Sequence, residues 1–239
     1  MNETMDRSIR RANERYHNDH GWLKTHFSFS FAEYYDPNNI QFSALRVLND
    51  DNIAPGTGFD LHPHRDMEIV TVVLKGQLEH RDTTGNREII VPGQIQRMSA
   101  GTGIYHGEFN ASDTESLQLM QLWFLPEKMG LQPSYETFTY GMESIQNRLV
   151  PVVSNRADEL GTARIHQDVT LQLGQFAAGQ ELAYDTNPGR SLYLFIIEGE
   201  VRFDDGMTLH RRDDARIRNA HSLKLQFEQD SHIMLIDLS

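Results

Sequence analysis

Two short motifs restrict the fold of this chain more than any other feature of its sequence. His62 and His64 lie two residues apart, and His106 and Glu108 repeat that spacing further along the chain. Side chains two residues apart share one face of a β-strand, whereas on a helix they do not face each other. If the two strands face each other inside a barrel, three imidazoles and one carboxylate converge.

This donor set indicates a metal site. Three neutral nitrogens and one anionic oxygen suit divalent iron, manganese, cobalt, nickel or copper. One His-X-His pair is common by chance. Two pairs of ligand-type residues, each flanked by glycine or proline and by apolar runs, are much less common by chance. The spacing leaves the carboxylate ligand open, because Glu68 is also an even number of residues from His64, and Asp66 is a weaker third candidate.

Charge and composition exclude several functional classes. The chain of 239 residues has a formal net charge of −12, which disfavours binding to nucleic acid and to anionic membranes. It has no cysteine, so disulfides and thiolate metal sites are excluded. No signal-peptide pattern and no apolar run of membrane-spanning length are visible, and a cytoplasmic protein is expected.

Short apolar runs between glycine and proline turns predict an all-β chain. A run at 44–48, a β-branched run at 69–74 and an apolar run at 117–125 are typical of strands, and an aromatic alternation over 27–35 indicates a half-buried strand or an extended aromatic segment. The polar residues 49–52 predict a loop. No helical periodicity is sustained between residues 40 and 125, so a closed barrel or sandwich with few short helices is expected.

The second half of the chain resembles a diverged copy of the first. Residues 179–185 align with 58–64 at an offset of 121 residues. In this alignment Ala183 and Asp185 take the places of the two histidines, and Asp185 is expected to be solvated. The second copy is therefore predicted to lack a metal site and to act as a scaffold.

The repeat predicts two domains. We expect a metal-binding N-terminal barrel over residues 1–135 and a degenerate C-terminal barrel over residues 136–239. The first 20 residues are polar with little periodicity, and a partly mobile arm is expected at their extreme N-terminal end.

Three segments, in order along the chain, resemble the pirin family of the cupin superfamily. They are residues 29–37, 62–68 and 99–108, and the resemblance is strongest between residues 21 and 125. It implies a bicupin, in which two antiparallel, jelly-roll-like β-barrels lie in tandem and the first holds one metal ion.

The resemblance also implies the ligands of that ion. It assigns His62, His64, His106 and Glu108, and so favours Glu108 over Glu68 as the carboxylate. Iron(II) is the first expectation, and manganese, nickel, cobalt, copper or zinc would suit the same donors.

The activity that the resemblance implies is that of a quercetin 2,3-dioxygenase. Such an enzyme opens the heterocycle of a flavonol with O2, releasing CO and a depside, and Glu108 is the candidate acceptor of the hydroxyl proton. Two alternatives stay open: a redox-sensing regulator that acts through protein partners without catalysis, and a metal-binding stress protein. A monomer is expected.

Residues near the ligands are candidates for supporting roles. Phe59, Ile104 and Tyr105 are predicted to shape an apolar pocket, although aromatic residues in strands more often belong to the core. Arg65 and Asp66 are candidate hydrogen-bond partners of the ligand histidines, with exposed turn residues as the alternative.

Overall fold

The computed structural model describes residues 6–239, which are almost entirely antiparallel β-structure. Ala157–Leu160 forms a short helix α1, and Ala12–Glu14 forms one turn of 3-10 helix. No helix among these residues is long and apolar enough to cross a membrane. The expected all-β class with few short helices is confirmed.

The described residues group into two compact units. The N-terminal unit comprises residues 16–141 and 155–167, and the C-terminal unit comprises residues 6–15, 142–154 and 168–239. The domain boundary predicted between residues 135 and 136 stays a prediction.

The N-terminal unit contains two antiparallel sheets. Their strands are β2 (Tyr16–Asp19), β3 (Leu23–Phe27), β4 (Leu45–Ile53), β5 (Gly58–His64), β6 (Glu68–Lys75), β7 (Leu78–Asp82), β8 (Arg87–Ile90), β9 (Gln94–Ser99), β10 (Ile104–Asn110), β11 (Leu117–Phe124) and β12 (Ser134–Thr139). The two-residue strand β14 (Ala163–Arg164) belongs to this unit but to neither of its two sheets. One sheet has the order β5-β10-β7-β8, and the other has the order β12-β9-β6-β11-β4-β3-β2.

The core of the N-terminal unit lies between these sheets. Leu78 and Ile90 of the first sheet pack in one buried cluster with Leu23, Ile53 and Leu119 of the second. The β-branched run of β6 is buried from Glu68 to Val73, as expected for a central strand with both faces covered. At the rim, β5 runs so close to β10 that a Cβ at Gly58 would lie 2.3 Å from the carbonyl oxygen of Glu108, so only glycine fits.

The C-terminal unit contains one antiparallel sheet. Its strands are β1 (Asp6–Arg10), β13 (Val150–Ser154), β15 (Val169–Phe176), β16 (Glu181–Glu198), β17 (Glu200–Phe203), β18 (Thr208–His210), β19 (Asp214–Phe227) and β20 (Ser231–Leu238). They follow the order β13-β15-β20-β16-β19-β17-β18, and β1 pairs with β19. Leucine, isoleucine and phenylalanine side chains of β16, β19 and β20 form its buried core.

Two local expectations were wrong. The aromatic alternation over 27–35 does not form a strand: β3 ends at Phe27, and the chain then closes a tight turn in which Phe31 bridges Tyr34. Residues 49–52 are not a loop, because β4 continues through them to Ile53. In the second case four consecutive polar residues hide the period of two that marks a strand.

The mobile arm expected at the extreme N-terminus stays a prediction, since residues 1–5 lie outside the described residues. The polar segment that follows is paired with the rest of its unit. β1 pairs with β19 over five residues. Arg11 donates a hydrogen bond from Nη1 to Asp213 Oδ2 at 2.7 Å, and the backbone N–H of Ala12 donates to Asp213 Oδ1 at 2.8 Å. Backbone pairing and a buried carboxylate therefore hold this polar segment in place.

The alignment of the repeat is displaced by one residue at the histidine positions. Ala183 and Asp185 are exposed, and Leu182, Tyr184 and Thr186 are the half-buried residues of β16. A shift of one residue moves every side chain of a strand to the opposite face. Asp185 is thus exposed as expected, but it lies within a strand rather than in a turn.

Candidate metal centre

The register of β5 against β10 brings the three predicted histidines together. His62 lies directly opposite His106, and His64 lies opposite Ile104. The register shifts between His106 and Glu108, which marks an irregularity in β10 at the site. Pro63 separates His62 from His64, so both imidazoles lie on one face of β5. That face is the one toward His106, because both rings lie close to the His106 ring.

The three imidazole rings form a tight triangle. Ring centroids are 4.8 Å apart for His62 and His64, 4.6 Å for His62 and His106, and 4.8 Å for His64 and His106. One nitrogen of each ring lies within 4.8 Å of the corresponding nitrogen of the other two. This arrangement allows all three rings to bind one ion.

The hydrogen bonds of these rings leave nitrogens open toward each other. His62 Nδ1 lies 2.7 Å from the carbonyl oxygen of Asp60, so Nδ1 carries the proton and Nε2 has a free lone pair. Within residues 6–239, the buried atoms His64 Nε2, His106 Nδ1 and His106 Nε2 have no hydrogen-bond partner. Buried polar atoms without partners are rare in folded proteins and call for a bound group.

Electrostatics keep the buried rings neutral. Burial, followed by the neighbouring rings of His106 and His62, lowers the pKa of His64 to about 3. Burial, followed by His62 and His80, lowers the pKa of His106 to about 3. Both imidazoles are therefore uncharged at neutral pH, which is the form that binds a metal.

Glu108 lies two residues after His106 on β10, is buried, and accepts hydrogen bonds from two amides and one hydroxyl. Its Oε1 accepts hydrogen bonds from Gln96 Nε2 at 2.5 Å and Thr71 Oγ1 at 3.3 Å, and its Oε2 accepts one from Gln121 Nε2. Trp123 donates from Nε1 to Gln121 Oε1 at 3.0 Å, which turns the NH2 group of Gln121 toward the carboxylate. Residues on three strands thus orient Glu108.

The other carboxylates considered as ligands lie elsewhere. Glu68 Oε2 accepts hydrogen bonds from Ser99 Oγ at 3.0 Å and from the backbone N–H of His166 at 3.1 Å. Asp66 has a positive φ of 49° and accepts a 2.6 Å hydrogen bond from the backbone N–H of Gly130. Among the described residues, neither belongs to a group of side chains that could hold a metal.

A fourth histidine, which the sequence did not single out, adjoins the triangle. His80 on β7 lies opposite Glu108 on β10, and its ligand atom falls within 4.8 Å of those of His106 and Glu108. The structure thus contains two groups that share His106: one with His62 and His64, and one with His80 and Glu108.

An aromatic cavity of about 340 Å³ opens onto the histidines. Its aromatic walls are Trp22, Phe27, Phe31, Phe59 and Trp123, and His62, His64, Glu108 and Gln121 also line it. This volume lies within the range of small-molecule sites in proteins. The cavity therefore provides space for a flat aromatic molecule beside the imidazoles.

The polar residues of β4 and β3 form another part of the cavity wall. Thr25 Oγ1 donates a hydrogen bond to Asp51, and both side chains line the cavity. Asn49 Oδ1 is buried, also at the cavity, and has no hydrogen-bond partner in the part of the chain that the structure describes. Asn49 and Asp51 fall in the stretch that the sequence predicts as a loop, and a strand period over 49–51 would have placed both on one face.

The predicted supporting residues divide between the site and other places. Phe59 lines the cavity, but Ile104 packs in a separate core cluster and Tyr105 is half exposed. Arg65 is exposed, and Asp66 binds Gly130 rather than a ligand histidine. Only Phe59 therefore has the role that the sequence predicts.

The residues present fit a divalent metal ion. Unpartnered, neutral, buried imidazole nitrogens converge from two strands, and a buried carboxylate adjoins one of them. Buried polar atoms are usually hydrogen-bonded, so several unpartnered nitrogens that face one another indicate a bound group.

Comparisons with known proteins support the same interpretation. The family model described as pirin matches residues 8–124, and a model described as quercetinase C-terminal cupin domain matches residues 151–238. These matches confirm two cupin domains in the chain.

Proteins from Escherichia coli are similar over nearly the full length. The protein named quercetin 2,3-dioxygenase is 40% identical over 230 residues, which are 96% of this chain and 97% of the relative. The crystal structure of YhhW is 40% identical with a TM-score of 0.93, and the match covers 98% of each chain. The structure of the bacterial pirin YhhW in complex with nickel(II), also 40% identical, has a TM-score of 0.92 and covers 98% of this chain and 99% of that one.

Proposed function

Since this chain belongs to the pirin family, we propose that it is a metal-dependent dioxygenase that opens the heterocycle of a flavonol such as quercetin with O2 and releases CO. The observation that carries this proposal is the convergence of unpartnered imidazole nitrogens of His64 and His106 beside an aromatic cavity that His62 and His64 line. The name of the similar Escherichia coli protein supports the substrate class.

His62, His64 and His106 would hold the ion through their open nitrogens, with Glu108 as the carboxylate donor. A divalent ion held there supplies Lewis acidity and open coordination positions. Iron(II) is the ion that we propose, and the nickel(II) complex of the similar bacterial pirin supports nickel as the alternative.

The cavity would bind the flat rings of the substrate and exclude water. Phe27, Phe31 and Trp123 provide apolar faces for offset stacking, which stabilises aromatic pairs by about 1 kcal/mol beyond burial. Asn49 Oδ1 and the Asp51 carboxylate are hydrogen-bond acceptors on the wall, so they would accept bonds from phenolic hydroxyls.

Glu108 would accept the proton of the substrate hydroxyl that undergoes reaction. Its Oε2 accepts one hydrogen bond, from Gln121, whereas Oε1 accepts two. Oε2 therefore retains capacity for a further proton, and both Glu108 and Gln121 line the cavity that the substrate would occupy. Removal of this proton leaves the electron-rich enolate that reacts with O2.

The direct test is aerobic addition of quercetin to protein loaded with each divalent metal in turn. We expect loss of the flavonol absorbance band together with release of CO in a ratio of one CO per quercetin. Turnover should disappear in His106→Ala. Absence of turnover with every metal would overturn the proposal and favour a regulator that acts through protein partners.

Glu108→Gln separates the proton acceptor from the ligand. The amide retains an oxygen donor but is a poor base, so we expect partial metal retention and a kcat lowered by about 100-fold. Metal analysis and steady-state kinetics on the same sample measure both quantities. Unchanged kcat would remove Glu108 from proton transfer.

The native ion can be identified on protein that has not been treated with metal. Anomalous scattering at the edges of iron, manganese, nickel, cobalt, copper and zinc would assign it. We expect iron, and a monomer by light scattering.

A further inference from the structure

A buried pair on β7, His80 and Asp82, lies beside the metal centre and has no role in the mechanism above. β7 pairs with β10 so that His80 lies opposite Glu108 and Asp82 lies opposite His106. Both side chains of the pair are completely inaccessible to solvent. All four side chains therefore face the same interior, because residues two apart share a face of each strand.

Hydrogen bonds define which nitrogen of His80 carries its proton. Nε2 lies 3.1 Å from Asp82 Oδ2. That carboxylate also accepts bonds from Thr84 at Oδ1 and from Asn86 Nδ2 at Oδ2. Because Asp82 is surrounded by donors, it accepts the Nε2 proton of His80. The Nδ1 atom of His80 is then an acceptor, and it has no partner in the described part of the chain.

His106 lacks an acceptor for its ring N–H among the described residues. Both of its ring nitrogens are buried, and neither has a partner anywhere in residues 6–239. A histidine that binds a metal through one nitrogen donates the N–H of the other, usually to an oxygen or nitrogen that fixes the ring. The ring centroids of His80 and His106 are 5.4 Å apart, and their ligand atoms fall within 4.8 Å of each other.

We propose that His80, held by Asp82, is the positioning residue of the metal ligand His106, whose remote N–H donates a hydrogen bond to His80 Nδ1. The chain of bonds then runs from His106 through His80 to Asp82 and orients two imidazoles with one carboxylate. Tyr135 stacks on His80 at 4.3 Å with an interplanar angle of 18°, which restrains the plane of the ring. This inference rests on the proposed metal centre but not on its substrate.

A competing role for the same side chains is a second cation site made of His80, His106 and Glu108. Two divalent ions this close would share two buried carboxylates, Glu108 and Asp82, and would leave excess positive charge buried at high cost. A single ion in this group would leave His64 Nε2 buried without a partner within the described residues. The observations therefore favour the positioning role.

The test uses nickel(II) alone and measures affinity and stoichiometry on the full chain. His80→Phe keeps a ring against Tyr135 but removes the acceptor, and we expect nickel affinity to fall by about 10-fold to 100-fold. His80→Asn restores an acceptor near the Nδ1 position and should bind within about threefold of wild type. His221→Asn changes an exposed histidine and is the matched control.

Asp82→Asn provides a variant that leaves every histidine in place. Its amide can donate to His80 Nε2, which transfers the His80 proton to Nδ1 and abolishes the acceptor for His106. We expect a loss of nickel affinity similar to that of His80→Phe, and altered copper(II) electron paramagnetic resonance parameters in both variants. This variant also serves if His80→Phe fails to fold.

Two results would overturn the positioning role. The first is wild-type nickel affinity and an unchanged copper spectrum in both His80→Phe and Asp82→Asn. The second is two nickel ions per wild-type chain with one lost in His80→Phe, which would make His80 a direct ligand. Nickel binding is measured without substrate, so it tests the positioning role independently of the reaction. A loss of quercetin turnover with unchanged nickel affinity would concern only the proposed reaction.

Discussion

The internal repeat relates β5 of the N-terminal unit to β16 of the C-terminal unit. The two strands differ in whether their inward-facing polar side chains have hydrogen-bond partners among the described residues. On β5, His64 Nε2 is buried and has no partner in the described residues. On β16, Tyr184 Oη and Thr186 Oγ1 both donate to Asp237 Oδ2, at 2.7 and 2.6 Å. Arg190 completes that cluster with a 2.6 Å bond to Asp237 Oδ1.

The difference separates a binding site from a structural cluster. Buried polar groups that satisfy each other stabilise a fold by themselves, whereas convergent groups left open require a ligand. In the C-terminal unit, polar side chains of β16 bind a carboxylate of the same unit, Asp237. They therefore do not require a ligand. The predictions below test this contrast between the units.

The largest expected effect comes from removing an open imidazole. His62→Ala should reduce bound metal from about one ion per chain to less than one tenth and abolish turnover, because one of three nitrogen donors is lost. Metal analysis after gel filtration measures the occupancy. Tyr184→Phe in the other unit should leave the metal content unchanged and lower the free energy of unfolding by about 1 kcal/mol. Full occupancy in His62→Ala would refute the ligand set.

The closed cluster should respond in stability instead. Asp237→Asn leaves Arg190 paired only with the more exposed Asp168, and we expect the free energy of unfolding to fall by about 2 kcal/mol. Urea denaturation measures this loss, and metal content should not change. Glu198→Gln, which removes an exposed pairing with Arg211, should cost less than about 1 kcal/mol. An equal cost in the two variants would contradict a structural role for Asp237.

An intermediate effect is expected at the polar wall of the cavity. Asn49→Leu removes a buried acceptor of similar size, so KM for quercetin should rise by about tenfold, with kcat nearly unchanged. A flavonol without hydroxyls on its outer rings should show no such change in KM. A uniform loss with both substrates would mean that Asn49 supports the fold and not recognition.

The smallest effect concerns acid stability in the C-terminal unit. Burial, followed by the charge of Arg212, lowers the pKa of His232 to about 4. The neutral ring is favoured in the fold, so its contribution is complete above pH 6.5 and is lost as pH falls toward 4. His232→Gln should therefore lose about 1 kcal/mol less stability than wild type between pH 6 and pH 5. Parallel urea curves on metal-loaded protein measure this difference, and identical slopes against pH would refute it.

Much of the fold and the centre of the site could be predicted from local pattern. β-branched runs and glycine turns predict many of the strands, and the spacing within each pair, His62 with His64 and His106 with Glu108, predicts one shared strand face per pair. Those signals come from residues close together in the sequence, because side chains alternate regularly between the two faces of one strand. The continuation of β4 through residues 49–52 has no such signal, because polar residues occupy both of its faces.

What the sequence determined by itself is that two pairs of side chains each share a strand face. It did not determine which carboxylate adjoins His106, since Glu68 and Glu108 both satisfy the spacing. The pairing of β10 with β5 and β7 decides this and also brings in His80 and Asp82. The physical reason is that spacing along a strand relates residues of that strand only, whereas contacts between neighbouring strands depend on register, and a shift of one residue exchanges the two faces.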